Sequence, residues 1–477
     1  MNIKSKKQKN NGKRINIQNF LYEIKEALLG GEKDYTSMRL RKAMLLLAIP
    51  MVLEMIMESV FAIVDIFFVS KLGSDAVATV GLTESIITIV YALGFGLSMA
   101  TTAMVSRRIG EKRPDKASET AFQAIVAGLL ISLPVTIAGI FFSEELLRLM
   151  GASDFIIEHY ALFPQIMLGG NFVIVLLFII NAVFRSAGDA AIAMRVLWMA
   201  NIINLILDPL LIFGIGFFPQ MGVAGAALAT TIGRSIAVIY QLWILFRGNS
   251  QIKLYWKSLK IEINVLLQLF KLSFGGIFQN IIATSSWIGL MRIVSTFGSQ
   301  ALAGYTIAIR LVIFFLLPSW GLANAASTLV GQNLGAKKPD RAEKAVNLAA
   351  IANMVLLGLI SIFMVFFAKE SIGFFTKDSN IMRFGIPALQ IISSGFLIYG
   401  LGQVMIQSFN GAGDTVTPTW IYFFAFWLVE VPLAYLLSIQ FEVGSSGVFY
   451  AIIIAESCMS ILAWILFKQG KWKLKEV

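Results

Sequence analysis

The sequence predicts an all-α membrane protein with twelve transmembrane helices, arranged as two six-helix bundles related by a pseudo-twofold axis along the membrane normal. Composition is the first reason. Of the 477 residues, 57% are hydrophobic and 14% are charged, a balance too apolar for a water-soluble domain. Apolar runs long enough to cross a bilayer, about 20 residues each, recur along the chain. An internal repeat relates the two bundles.

Twelve apolar runs are bounded by charged residues, glycine and proline. The predicted spans are 43–70, 76–105, 117–142, 155–184, 192–213, 223–246, 265–295, 301–331, 345–368, 382–409, 417–439 and 446–467. The first run follows a polar arm and is long enough to span, so we expect a membrane helix there rather than a cleaved leader. The chain then divides into a basic arm (1–42), a first lobe (43–247), a linker (248–264), a second lobe (265–467) and a basic tail (468–477).

The net charge of +11 is explained by topology. If the N-terminus is cytoplasmic, 31 of the 39 Lys and Arg residues fall in the arm, the tail and the cytoplasmic loops, as the positive-inside rule predicts. We therefore expect a multi-pass protein of the cytoplasmic (inner) membrane with both termini in the cytoplasm. The basic charge would meet anionic lipid, not nucleic acid. Cys458 and His159, the only cysteine and histidine, provide no disulfide framework and no Cys/His metal cluster.

Six residues of the first half recur 225 positions later without a gap. They are Gly73, Gly96, Gly110, Pro114, Asp115 and Ala117, which return as Gly298, Gly321, Gly335, Pro339, Asp340 and Ala342. Because six spans separate equivalent points, the two copies share one orientation, as in transporters that rock two bundles around a central site. A substrate path between the halves is the expected consequence.

Three stretches of the first half resemble a known family. They read VDIFFVSKLG at 64–73, NLILDPLLIFG at 204–214 and GVAGAALAT at 222–230. With the span count and the repeat, they are similar to the multidrug and toxic compound extrusion (MATE) family, and the first-half acidic residues resemble its DinF-like branch. The resemblance implies a secondary antiporter that expels cationic or amphiphilic organic compounds against an inward flow of Na⁺ or H⁺. Some branches carry acidic residues in the seventh and tenth spans. Here the seventh offers Gln279, and neither span contains Asp or Glu.

Two carboxylates inside the membrane are the main functional candidates. An ionised carboxylate at helix-centre depth costs about 2.5–3.5 kcal/mol on insertion scales, so its presence indicates function. Asp65 and Asp208 each precede the outer end of their span by about five residues, at similar depth. Asn204 lies one turn from Asp208 on the same face, and Thr230 adds a hydroxyl from the sixth span.

These oxygens suit a coupling ion. Asp65, Asn204 and Asp208 are oxygen ligands of the kind that Na⁺ takes, and two neighbouring carboxylates equally suit a proton that one of them holds. The alternative is that Asp65 only accepts hydrogen bonds that lock the bundle.

Glu54 and Glu58 share one face of the first span with its aspartate, behind Pro50, which should bend the helix. One interpretation is a cation-attracting substrate cleft, to which Asn181 in the fourth span and Gln279 in the seventh would contribute. The other is that these polar groups satisfy one another in helix packing.

Glu84 in the second span and Arg310 in the eighth are one residue from equivalent positions in the repeat, so they lie at nearly one height. We predict an interlobe gate, in which they form an ion pair in one access state and separate in the other. The alternative is that each pairs within its own half or reaches water. Arg234 in the sixth span is a further buried charge whose partner the sequence does not name.

The sequence thus predicts a monomeric, ion-coupled multidrug exporter that works by alternating access on small organic substrates, with Na⁺ or H⁺ as coupling ion and no cofactor. A lipid-linked saccharide flippase of the same architecture is the alternative, but it would need a cleft rich in Arg and Lys for pyrophosphate. Spans one, two, seven and eight instead set four acidic residues against Arg292 and Arg310. A membrane enzyme has no support, because the spans offer no mid-membrane His, Cys pair or Ser/Lys set at helical spacing.

Overall fold

The computed structural model describes residues 17–247, 250–255 and 260–477, and in these residues the regular structure is helical, without strands. The first-half helices are α1 (Ile17–Leu29), α2 (Leu40–Ser70), α3 (Ser74–Gly110), α4 (Pro114–Phe141), α5 (Ser143–Leu149), α6 (Asp154–Tyr160), α7 (Leu162–Gly169), α8 (Asn171–Ala187), α9 (Ala190–Phe213) and α10 (Val223–Arg247).

The second half begins with α11 (Ile263–Ser295), α12 (Ser299–Gly335), α13 (Pro339–Phe366), α14 (Ala368–Phe375), α15 (Ser379–Ser394) and α16 (Phe396–Ala412). Its eleventh span alternates α17 (Val416–Tyr422), a π-helical segment (Phe423–Glu430), α18 (Val431–Tyr435) and a second π-helical segment (Leu436–Gln440). The chain ends in α19 (Ser446–Lys468) and a 3₁₀ turn (Lys471–Leu474).

The twelve-span prediction is confirmed. Among the described residues, eleven spans are long and apolar enough to cross a membrane, and the bent pair α15 and α16, which meet at 55°, makes the twelfth. Helix α2 continues through Pro50. The predicted start of the fourth span was wrong: residues 154–160 form the separate helix α6, whose Asp154, Glu158 and His159 favour water, and the span itself is Leu162–Ala187.

Two spans are interrupted at equivalent glycines. Gly170 separates α7 from α8, and Gly395, 225 positions later, separates α15 from α16. A Cβ on Gly170 would lie 2.9 Å from Thr231 Cγ2, and one on Gly395 would lie 3.2 Å from Ile453 Cγ2. Each break therefore lies where the chain passes close to the last span of its own half.

The two halves meet through close backbone contacts near the ends of α3 and α12. A Cβ on Gly110 would lie 2.0 Å from the Gln332 carbonyl oxygen, and one on Gly335 would lie 2.1 Å from the Arg107 carbonyl oxygen. Positions 107 and 332 are also 225 residues apart, so the pair of contacts has the symmetry of the repeat. Only glycine permits this approach, which holds the halves together at this end of the bundle.

The described part of the arm packs across both halves at the same end. The Tyr35 hydroxyl donates to the Gly188 carbonyl of the first half at 2.7 Å. From the second half, Lys338 Nζ donates to the Thr36 carbonyl at 2.9 Å, and Arg341 donates to the Tyr35 carbonyl at 3.1 Å. Residues 1–16 of the predicted arm, and 248, 249 and 256–259 of the predicted linker, lie outside the described residues.

The tail makes a comparable bridge. Arg107 of α3 donates to the Lys475 carbonyl at 2.9 Å and to the Ala412 carbonyl at 3.2 Å. Trp472 is fully buried and stacks on Phe467 with ring centroids 4.6 Å apart. Both ends of the chain thus stabilise the contact between the halves.

Candidate functional site

The ion-coupling residues expected in α9 and α10 form one buried cluster. Asp208 is fully buried, and Asn204 and Thr230 are 3% and 6% exposed. The Asn204 amide donates to Asp208 Oδ1 at 3.2 Å and to Thr230 Oγ1 at 3.0 Å. The other carboxylate oxygen, Asp208 Oδ2, is buried and has no hydrogen-bond partner among the described residues.

Asp65 lies on α2, which packs along α9. It is within electrostatic range of Asp208, and its Oδ1 is also buried without a hydrogen-bond partner in the described part of the chain. The structure therefore joins three of the sequence-predicted coupling residues by hydrogen bonds and places the fourth, Asp65, on the neighbouring helix. Two unsatisfied carboxylate oxygens beside a hydroxyl and an amide can accept a proton or serve as ligands for a hard monovalent cation.

Arg234 of α10 faces this group, which gives it the partners that the sequence did not name. Its guanidinium lies 3.9 Å from Glu58 Oε1 and 5.6 Å from the Phe61 ring, and it is also within electrostatic reach of Asp65. The Arg234 side chain is 8% exposed and that of Glu58 is 30% exposed. Glu58 thus connects the buried cluster to the accessible surface.

Glu54 lies in the interior of the first half. It is 1% exposed, and its Oε1 accepts from Arg185 at 2.6 Å and from the Asn181 amide at 3.2 Å. The Asn181 oxygen in turn accepts from Gln241 of α10. For Glu54 and Asn181 the geometry favours the packing interpretation over a cleft lining, since Glu54 Oε1 and both polar atoms of the Asn181 amide make hydrogen bonds between helices. The other carboxylate oxygen, Glu54 Oε2, is buried without a hydrogen-bond partner among the described residues.

Gln279 has the same character in the second half. It is 1% exposed and exchanges amide hydrogen bonds of 3.1 Å with Asn410 in both directions. It also donates to the Thr415 carbonyl at 3.1 Å. Here too the structure favours packing over an open substrate cleft.

The gate pair is close but not in contact. Glu84 and Arg310 are both exposed and are near enough to attract each other, yet no ion pair within 4.0 Å joins them among the described residues. The two side chains are thus separated in this conformation. That they form an ion pair in the other access state stays a prediction.

Sequence reasoning missed two carboxylates of the second half. Glu430 ends the first π-helical segment of the eleventh span, and Glu456 lies in α19. Glu430 is 1% exposed. Both lie inside predicted spans, so the cost of placing a carboxylate in a membrane was a signal that could have identified them.

Twelve spans in two equivalent halves, with polar clusters buried at membrane depth, define a polytopic membrane transport protein. The chain belongs to the MatE family, whose model matches residues 50–210 and 276–436, one stretch in each half. This confirms the family resemblance of the sequence, and with it that the protein is a transporter rather than an enzyme.

Similar proteins have comparable length. The probable multidrug resistance protein YoeA of Bacillus subtilis is 25% identical over 441 residues, which cover 91% of this chain and 95% of the relative. The probable multidrug resistance protein NorM of Thermotoga maritima is 24% identical, with 92% and 94% covered.

Solved structures share the fold. A MOP superfamily transporter from Pyrococcus furiosus superposes with a TM-score of 0.86 at 24% identity, covering 94% of this chain and 98% of that one. The outward-facing conformation of a multidrug resistance MATE family transporter gives 0.83 at 24% identity, with 93% and 96% covered.

Proposed function

We propose that this protein is an ion-coupled efflux antiporter, which exports cationic or amphiphilic organic compounds in exchange for Na⁺ or H⁺ by alternating access. The observation that carries the proposal is the buried cluster of Asp65, Asn204, Asp208 and Thr230, in which one oxygen of each carboxylate has no hydrogen-bond partner among the described residues. The multidrug resistance names of YoeA and NorM support the efflux direction.

The coupling follows from the cost of burying charge. Two carboxylates at membrane depth repel each other and lack water, so a proton or Na⁺ that binds between them removes an unfavourable interaction. Binding would draw α2 toward α9, because Asp65 and Asp208 lie on those two helices. A change in how α2 packs would alter its contact with α12 of the other half, where Gly321 meets the Met51 carbonyl.

The arrangement of the two halves fits one end of such a cycle. If the termini are cytoplasmic, the glycine contacts at Gly110 and Gly335 close the cytoplasmic side. The exposed and separated Glu84 and Arg310 then belong to an outward-open cleft. Glu58, partly exposed beside the buried cluster, is the acidic side chain best positioned to meet a cationic substrate.

Gradient-driven efflux in proteoliposomes tests the proposal. Asp65→Asn and Asp208→Asn should each reduce export of a fluorescent organic cation to the level of protein-free vesicles, because each removes a titratable charge and keeps the shape. Asp75→Asn, an exposed carboxylate at the start of α3, is the matched control and should transport normally. Normal efflux by either coupling variant, with its thermal unfolding unchanged in detergent, would refute the assignment.

The coupling ion is identified by imposing the two gradients separately. A sodium gradient at equal pH and a proton gradient at equal sodium each drive efflux only if that ion exchanges for substrate. Efflux of the organic cation that responds to neither gradient would refute ion coupling.

A further inference from the structure

The second half contains two carboxylates inside its spans that the first-half coupling cluster does not use, Glu430, which is buried, and Glu456, which is partly exposed. Glu430 is 1% exposed and comes from the eleventh span, which packs against α19, the helix that carries Glu456. Glu430 lies seven residues before Leu437 and Glu456 nine residues after Gly447, and these two positions are in contact, so the two acids lie at similar depth on packed antiparallel helices. One oxygen of each, Oε2, is buried and lacks a hydrogen-bond partner in the described residues.

Hydroxyl groups from four other segments are within electrostatic range of these two acids. Ser286 of α11 makes a hydrogen bond to Glu430, and Tyr305 of α12 is also within range of Glu430. Tyr399 of α16 and Tyr422 of α17 are within range of Glu456.

The surroundings are polar. The Tyr399 hydroxyl already accepts a hydrogen bond from Trp320 Nε1 at 3.0 Å, which fixes the position of its oxygen. Among the described residues, neither Glu430 nor Glu456 forms an ion pair with Lys or Arg. The pair therefore differs from Glu54, whose charge is balanced by Arg185.

Two neighbouring carboxylates at membrane depth cannot both remain ionised without a bound positive charge. Each negative charge would oppose the other in a medium that solvates neither. Carboxylate and hydroxyl oxygens are ligands for hard cations, and the same oxygens can share a proton. Two acids without an ion-pair partner among the described residues thus favour the binding of a proton or a hard cation.

The pair corresponds by position to the coupling region of the first half. In each half, a glycine at the start of the last span packs against the backbone of the span before it. These contacts are Gly225 with Leu211 and Gly447 with Leu437. Counting along the chain from these contacts, Glu430 corresponds to Asn204 and Glu456 to Arg234. The second half thus has two acids where the first half has an amide and a guanidinium.

We propose that Glu430 and Glu456 form a second cation site, which binds one positive charge, a proton or Na⁺, between their unpartnered oxygens. The proposal extends the ion-coupled function described above, and its binding chemistry can be tested without transport.

Infrared difference spectroscopy of the purified full-length protein tests it. The background is the Asp65→Asn and Asp208→Asn double variant, which removes signals from the first half. One arm raises the pH without Na⁺, and the other replaces K⁺ by Na⁺ at constant pH. A bound proton predicts loss of a protonated-carboxyl band in the first arm, and a Na⁺ site predicts a carboxylate change in the second.

The signal should disappear in Glu430→Gln and in Glu456→Gln and should persist in Glu370→Gln, an exposed glutamate of α14. If the neutral variants do not fold, Glu430→Asp and Glu456→Asp retain the acid and should shift the band. No change in either arm, or a change unaffected by all four substitutions, would refute the site. Because efflux is not measured, loss of this site and loss of first-half coupling are separate results.

Discussion

In the first half an ion pair of 2.6 Å, Glu54 with Arg185, joins α2 to α8, whereas the equivalent positions of the second half hold two amides. Gln279 and Asn410 lie 225 residues after Glu54 and Arg185 and exchange hydrogen bonds of 3.1 Å. Both pairs are buried between the corresponding helices. The comparison indicates that the fold requires a satisfied polar contact at this point, and that a charge there is a property of one half.

The close backbone contacts, unlike the side-chain charges, are the same in both halves. The Gly110 and Gly335 contacts are of nearly equal length, and the residues that follow, Lys112 and Lys337, have nearly equal positive φ of 59° and 56°. Close approach depends on backbone shape, which the repeat preserves. Charges have diverged between the halves, which allows each half a separate role in an ion-driven cycle.

The largest expected effect is that of Arg185→Asn, which leaves Glu54 buried without its cation. Removing one partner of a buried ion pair costs about 3–5 kcal/mol of stability, because an uncompensated charge stays in a low-dielectric interior. Adding Glu54→Gln installs the amide pair of the second half in the first and should recover most of the loss. Thermal unfolding in detergent measures both effects.

The matched control in the second half is the double change Gln279→Glu and Asn410→Arg, which installs the ion pair of the first half at the amide pair. Equal destabilisation by the single and the double change in the first half would mean that the two sites differ in shape rather than only in charge.

Gly110→Ala and Gly335→Ala should have the next largest effect. Each methyl group would overlap a carbonyl of the opposite half, and such overpacking costs about 1–3 kcal/mol. Both variants should populate a form with this end open, visible as a longer spin-label distance between the halves. Gly81→Ala on α3, which has no atom within 4 Å of the added carbon, should leave the distance unchanged. A longer distance in only one of the two variants would mean that the two glycine contacts are not equivalent.

Tyr35→Phe should have a smaller effect. Tyr35 covers Gly188, and Val477 of the tail covers the equivalent Gly413, but only the tyrosine adds a hydrogen bond. Burial raises the pKa of the Tyr35 phenol, so it remains a donor at physiological pH. Loss of one such bond costs about 0.5–1.5 kcal/mol.

Faster hydrogen exchange of the arm is the expected readout for Tyr35→Phe, with Tyr22→Phe, a 67% exposed side chain of α1, as control. Unchanged hydrogen exchange in Tyr35→Phe would mean that the arm is held in place by the hydrogen bonds from Lys338 and Arg341 instead.

The smallest effect is expected for Glu84 and Arg310. Both are exposed and separated in this conformation, so their interaction should be worth less than about 1 kcal/mol here. If they pair in the other access state, Glu84→Gln and Arg310→Met should each slow transport, and the double change should restore part of the rate. Additive effects in this double-mutant cycle would show that the two residues do not interact, and would contradict the proposed gate.

The number of membrane spans could be predicted because apolar length alone decides whether a segment stays in a membrane. Asp65, Asn204, Asp208 and Thr230 could also be selected, since a carboxylate at membrane depth is costly wherever it points. The packing roles of Glu54, Asn181 and Gln279 could not be predicted, because a polar helical face can line a cleft or make a packing contact equally well. The partner that each side chain meets lies on another helix, as Arg185 does for Glu54.

The sequence by itself determined the spans, the repeat and the identity of the acidic residues, since these depend on local hydrophobicity and on matching positions. Only the tertiary structure shows where spans four and ten break, because glycines such as Gly96 and Gly321 lie within unbroken helices, so a glycine in the sequence does not by itself identify the breaks at Gly170 and Gly395. It also decided which charges are neutralised. Arg185 balances Glu54, whereas Glu430 and Glu456 form no ion pair among the described residues. The distance between groups on different helices is set only when the helices pack.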